Sequence, residues 1–225
     1  PRSTIFPYTT LFRSRILSAL SDYQFPAANR SIVTAARLPK RYFITPERLT
    51  SEQLYAGAEQ ALAAGCELLQ LRAAHLPVAE YKSLAQRLQT LCAGRAQLML
   101  KGDLTWQAEF TDAGWHLTAQ QLRELAGRQR PLATDRLLAA SCHNAQELAW
   151  ATALQVDFVT LSPILATPTL PDTEPLGWLA AQRLLRQFNA PAFLLGGLTE
   201  QDIERAGALG GQGVAAIRGF WPTTL

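Results

Sequence analysis

The sequence is poor in charge and in the residues that build metal or disulfide sites. Only 17% of its 225 residues are Asp, Glu, Lys or Arg, and it holds three histidines, three cysteines and one methionine. Cys66, Cys92 and Cys142 are odd in number and far apart. They form neither a disulfide framework nor a zinc-ligand spacing, which suits a reduced, cytoplasmic compartment. Cys92 sits in a helical pattern and reads as a small core residue. No apolar run approaches the ~20 residues of a membrane helix, and no signal peptide is visible. The formal charge is +3, and Arg2 and Arg13 in the acid-free stretch 1–14 supply part of it. Without that stretch the charge is +1, too little to indicate a nucleic-acid partner.

What the chain does have is a core. Hydrophobic residues make up 48% of it, as in a globular protein of one barrel or one to two smaller domains. From Arg41 onward, short apolar runs alternate with amphipathic stretches. Candidate strands fall at 41–45, 68–72, 98–101, 114–117, 137–142, 158–162, 192–196 and 214–217. Helix-start pairs stand between them: Thr50 with Gln53, Asn144 with Glu147, and Thr199 with Asp202. Leu54, Ala58, Ala61 and Leu62 recur at helical spacing, as do Tyr81, Leu84, Ala85, Leu88 and Leu91. Gly65, Gly94 and Gly127 stand where a left-handed cap ends a helix. Eight strands alternating with helices predict an α/β fold, a (β/α)8 TIM barrel over residues 40–221. An open doubly wound sheet is the alternative. No clear helix follows the last strand.

Polar residues collect where these strands end. Residues two apart share a face of a strand, so Gln70 pairs with Arg72, Ser141 with His143, and Thr160 with Ser162. Lys101 and His116 close two further strands. The C-terminal rim is where barrel enzymes place their sites, which predicts one shared polar pocket. The Gly196-Gly197 turn and the run Gly213-Val214-Ala215-Ala216-Ile217 end the barrel, where backbone N–H groups commonly cradle a phosphate. Glycine there would let a phosphate approach the backbone. Arg218 would add a charge-assisted contact, or be a solvated side chain.

The order of Gln70-Leu71-Arg72, Trp115-His116-Leu117, Ser141-Cys142-His143-Asn144, Ser162-Pro163 with Thr167, Gly196-Gly197 and Gly213-Val214-Ala215 resembles the thiamine phosphate synthase/TenI superfamily. The resemblance implies an enzyme of thiamine biosynthesis. The synthase joins a hydroxymethylpyrimidine diphosphate to a thiazole phosphate and releases pyrophosphate with Mg²⁺. It implies substrate contacts at Gln70, Arg72, Lys101, Ser141, Thr167, Gly196, Gly197 and Arg218. Departures fall on the pyrophosphate side. A family lysine after Gln-Leu-Arg is Ala74, the Asn-Asp pair after the third strand is Lys101-Gly102, a second Asp is Gln121, and a further lysine is Leu170. The expected Mg²⁺ ligands are thus lost, and no metal residue is assigned. The partner implied is a phosphorylated thiazole or pyrimidine, or thiamine phosphate. His143 matches a histidine implicated in proton transfer in TenI-type tautomerases; it is the catalytic candidate, with a histidine bonding its own loop as the alternative. His116 reads as an interior hydrogen-bonding residue and His75 as a loop residue.

Two segments precede the barrel. Residues 1–14 (PRSTIFPYTTLFRS) resemble translated sequencing-adapter read-through. Residues 15–39 resemble the tail of a MutT-type Nudix hydrolase, in which Asn29 would contact a purine base, leading into a short helix over 31–38. A Nudix hydrolase domain in cis is therefore an expected partner of the full-length protein. The functional alternatives are a thiazole tautomerase and a catalytically inactive sensing module attached to a Nudix hydrolase.

Overall fold

The computed structural model describes residues 30–167 and 173–221. The readings of 1–14 and Asn29, and the position of Leu170, lie outside them. Eight parallel strands form a closed barrel in sequence order. They are β1 (Arg41–Ile44), β2 (Leu68–Leu71), β3 (Gln97–Leu100), β4 (Gly114–Leu117), β5 (Leu138–Cys142), β6 (Phe158–Leu161), β7 (Ala192–Leu195) and β8 (Gly213–Ala216). β8 pairs directly with β1, Arg41 opposite Val214 and Phe43 opposite Ala216, so closure needs no further helix. The open doubly wound sheet is thereby excluded.

The helices are α1 (Arg30–Arg37), α2 (Ser51–Ala63), α3 (Val78–Cys92), α4 (Ala119–Glu124), α5 (Ala145–Ala153), α6 (Gly177–Leu185) and α7 (Ile203–Ala208). A 3₁₀ turn, Leu104–Glu109, stands where a helix would join β3 to β4. Thr50 and Gln53 form a reciprocal capping box, Asn144 accepts the Glu147 N–H, and Thr199 caps with Asp202. Gly65, Gly94 and Gly127 have φ of +83°, +68° and +75°, the left-handed caps their positions predict.

Alternation along each strand divides the core in two. Phe43, Leu69, Leu71, Leu98, Leu100 and Trp115 face outward and bury the apolar stripes of the helices. Those stripes include Leu54, Ala58 and Ala61 of α2, and Tyr81, Leu84 and Leu88 of α3. The inward residues Tyr42, Leu68, Met99, Ala139, Phe158, Phe193 and Ala215 fill the barrel. Tyr42, Phe158 and Phe193 pack with ring centroids 5.4–5.6 Å apart, a dry layer below the rim. Leu38 joins this cluster from beneath. The Gln212 amide donates to the carbonyls of Ala35, Leu38 and Pro39, tying the end of α1 to β8.

Residues 126–137, between α4 and β5, have little regular structure, and two arginines tie them down. Arg136 donates to the carbonyls of Gln107, Phe110 and Ala113. Arg130 pairs with Asp157 at 2.7 Å, with side chains only 8% and 1% exposed, and Asp157 also accepts the Leu138 N–H at 2.7 Å. Removing one member of a buried pair strands the other's charge. Arg130→Ala is therefore expected to lower unfolding free energy by about 3–5 kcal/mol in urea titration, and a loss below about 1 kcal/mol would count against the pair's role.

Candidate functional site

The strand ends converge on one pocket of about 520 Å³ at the C-terminal rim. The catalytic and substrate-contact candidates all line it: Gln70, Arg72, Lys101, Ser141, His143, Thr167, Gly196, Gly197 and Arg218. Several strands stop one residue earlier than the apolar runs suggested. Arg72 and Lys101 consequently begin loops, and neighbouring hydroxyls hold their backbones. Thr45 Oγ1 accepts the Arg72 N–H at 2.8 Å and donates to its carbonyl at 3.0 Å. The Tyr81 hydroxyl accepts the Lys101 N–H and donates to the Lys101 carbonyl, both at 3.2 Å.

A chain of buried hydrogen bonds forms the pocket floor. The Gln70 amide donates to the Tyr42 hydroxyl at 2.8 Å, so that hydroxyl directs its own proton to His116 Nδ1, 3.0 Å away. His116 then carries its ring proton on Nε2, which donates to Ser141 Oγ at 3.1 Å. Lys101 Nζ donates to the same oxygen at 3.1 Å. With both approaches accepting, the Ser141 hydroxyl proton is left for the pocket. Burial, and then the charges of Lys101 and Arg72, hold His116 well below its ordinary range, so it stays neutral. His116 is thus the interior hydrogen-bonding residue that the sequence suggested. His75 lies in its loop, donating to the Leu49 carbonyl at 2.8 Å.

His143 is held by a partner that sequence reading used only as a helix-start residue. One oxygen of Glu147 accepts the His143 backbone N–H at 2.6 Å and lies 2.8 Å from Nδ1. That carboxylate is buried, which fixes the ring and leaves Nε2 for the pocket. Tyr42, Thr45 and Tyr81 were also missed. Tyr42 and Thr45 stand in the β1 run and Tyr81 on the apolar stripe of α3, and only the packed structure reveals each hydroxyl's partner.

The Gly196-Gly197 turn needs glycine for a reason internal to the fold, beside the phosphate approach expected from the sequence. Their φ values are +109° and +70°. A Cβ on Gly196 would lie 2.8 Å from Pro163 Cα, and one on Gly197 would lie 2.9 Å from the Ala166 carbonyl. The loop after β6 imposes both residues, because it packs against the turn. The β7–β8 ladder, with Leu195 opposite Ala215, engages the Gly196 N–H, whereas among the described residues no acceptor pairs with the N–H groups of Gly197, Arg218 or Gly219. All four residues line the pocket, and the Arg218 side chain is exposed at its edge.

A family model described as thiamine monophosphate synthase matches residues 41–220. The chain belongs to the thiamine monophosphate synthase family. It is 33% identical over 180 residues to a thiamine-phosphate synthase of Thermosynechococcus vestitus, covering 80% of this chain and 50% of that protein. A thiamine-phosphate synthase of Vibrio parahaemolyticus is 27% identical, with coverage of 78% and 87%. A thiamine phosphate pyrophosphorylase from Pyrococcus furiosus shares the fold at a TM-score of 0.64 and 18% identity, over 79% of this chain and 85% of that one. The family match lies within the barrel and gives no support to the Nudix resemblance upstream.

At the positions where the resemblance implies metal carboxylates, the side chains present serve the fold. The Gln121 amide accepts the Thr118 N–H and donates to the Gly102 carbonyl, both at 2.9 Å, which uses both of its ends. Asp103 faces solvent and caps the 3₁₀ turn, accepting from the Thr105 N–H and hydroxyl. Among the described residues, no group of three His, Cys, Asp or Glu could hold a metal ion. The described residues do not fit a carboxylate-held Mg²⁺.

Lys101 bears the electrostatic cost of this pocket. Burial, and then the Arg72 charge, lower its pKa from 10.5 to about 8, against a smaller opposing pull from Glu47. Between those values the unfolded chain keeps a proton that the folded chain has released, so raising the pH through that window favours folding. Below about 8 the folded state carries the full cost of the buried ammonium. Lys101→Met is accordingly expected to be more stable than the parent at neutral pH by about 2 kcal/mol, an advantage that shrinks toward pH 10.5. Urea unfolding at several pH values measures it, and a constant margin would show that Lys101 is not the group responsible.

Proposed function

We propose that this family member binds a thiazole phosphate or thiamine phosphate, with the phosphate on the loops after β7 and β8. The carrying observation is that the N–H groups of Gly197, Arg218 and Gly219 have no acceptor among the described residues and stand around one pocket. Oriented backbone donors are an anion's natural partners, and the Arg218 guanidinium reaches the same edge. The pocket volume of about 520 Å³ suits a ligand of that size. Arg72 and Thr167 supply further polar lining. Millimolar thiazole phosphate or thiamine phosphate is expected to raise the melting temperature of the protein, and an unchanged melting temperature would overturn the reading.

The pyrophosphate side of the pocket supports binding without the family's Mg²⁺-dependent condensation. Gly102 and Gln121 offer no carboxylate, and a lysine precedes them. Formation of thiamine phosphate should accordingly stay at background with Mg²⁺ present, and EDTA-sensitive turnover would refute this.

The Glu147–His143 pair favours a second reading, a TenI-like thiazole tautomerase. A tautomerase needs one group that removes a proton and returns it nearby. His143 Nε2, oriented by Glu147 through Nδ1, is such a group. A tautomerase assay on the same preparation separates the readings: turnover abolished by His143→Ala supports the enzyme, and ligand binding without turnover supports a binding module.

A further inference from the structure

Among the described residues, the charge left over on the far side of the pocket has no ion-pair partner. Lys101 Nζ has three N–H donors, and among the described residues its one hydrogen-bond partner is Ser141 Oγ. No carboxylate of the described residues lies within ion-pair distance of it. A partly buried ammonium is costly and is normally paired, so a site that retains one is prepared for an anion from elsewhere. Arg72 lines the same pocket from β2, and its one carboxylate contact, Glu47 at 2.9 Å, leaves the other guanidinium donors over. Ser141 adds a third donor, because His116 and Lys101 already occupy its acceptor positions. This end of the pocket is therefore rich in donors, and among the described residues no group of carboxylates could hold a cation there.

Topology separates this group from the phosphate cradle. β3, which delivers Lys101, and β7, which delivers Gly196, lie four strands apart in an eight-stranded closed barrel and so face each other across it. Gly102 follows Lys101 and lacks a side chain that could recruit a metal, while Gln121 is fastened to the Gly102 carbonyl.

We infer that Lys101, Arg72 and Ser141 form a second oxyanion subsite that works without a divalent cation. The ligand class is then a molecule anionic at both ends, with a phosphate on the β7–β8 loops and a phosphate, diphosphate or carboxylate at Lys101. The inference rests on the binding reading above and adds to it the second group and the absence of a metal requirement.

Calorimetry on the full chain tests it, with inorganic pyrophosphate as the probe for the Lys101 end and thiazole phosphate for the cradle. Pyrophosphate affinity is expected to be the same in EDTA and in Mg²⁺ to within about twofold. Lys101→Gln should weaken pyrophosphate at least about tenfold, Lys101→Arg should restore most of the affinity, and thiazole phosphate should change by less than about twofold in either variant. Melting curves confirm that each variant is folded. Pyrophosphate binding that requires Mg²⁺, or that ignores Lys101→Gln, overturns the subsite while thiazole phosphate binding still stands. Loss of thiazole phosphate binding in the parent chain overturns the cradle instead. If neither probe binds, both fall.

Discussion

Closure of a parallel sheet is the constraint on which everything else rests. Eight strands that run the same way and pair end to end must deliver all their C-terminal residues to one rim. Pairing of β8 with β1 fixes the register around the whole circle, and the pleat then turns alternate residues inward. Apolar inward residues fill the lower barrel, Tyr42, Phe158 and Phe193 among them. Polar inward residues are tolerable only above that layer, where each finds a partner or a pocket. The site is thus the upper continuation of the core, built from the same alternation.

That continuity explains why the pocket floor is ordered. Gln70, Tyr42 and His116 are almost fully buried, and each polar group is satisfied by the next. The direction of donation runs one way, from the Gln70 amide to Ser141. It originates in Gln70, whose amide nitrogen can only donate, so the Tyr42 proton has one place to go. A neutral His116 suits this arrangement. A protonated ring would present a donor to the Tyr42 hydroxyl, turn that bond around and add charge beside Lys101. Burial and neighbouring cations prevent that protonation, so the floor keeps one polarity beneath the pocket.

The barrel and its rim were legible in the sequence because both follow from local pattern. Runs of apolar residues set the strands, capping pairs such as Thr50 with Gln53 set the helices, and residues two apart declared a common face. The outline erred where local pattern is ambiguous. An apolar run does not show where pairing stops, so strands were drawn to include Arg72 and Lys101. The segment after β3 folds as a 3₁₀ turn, and Asp103 caps it. Partnerships across the barrel were not legible. Tyr42 meets His116 across 74 residues, and Lys101 meets Ser141 across 40. Glu147 was visible as a helix-start residue, but its reach back to the His143 ring depends on how the β5 loop bends. The glycine turn was located correctly and explained incompletely. Its shape answers first to the loop after β6, and the open Gly197 N–H follows from that shape.

The two ends of the pocket express different physics, and this bears on what the barrel has kept. In the proposed reading, affinity at the cradle comes from backbone donors, which cost nothing in buried charge. At Lys101 the counter-charge is a side chain that destabilises the folded protein at neutral pH. A buried ammonium without a carboxylate partner is hard to explain as a device for folding, since an apolar residue there would be more stable. Its retention is intelligible when an anionic ligand supplies the missing charge. A lysine differs from a metal ion in what it can then do. It neutralises an oxyanion as a single, titrating charge, but it cannot bridge two phosphate oxygens with the fixed geometry of Mg²⁺. A departing pyrophosphate gains charge on several oxygens at once and rewards such bridging, whereas holding an anion in place does not require it. In the proposed reading, Lys101 and Gly102 therefore suit recognition of an anion at that end better than they suit condensation.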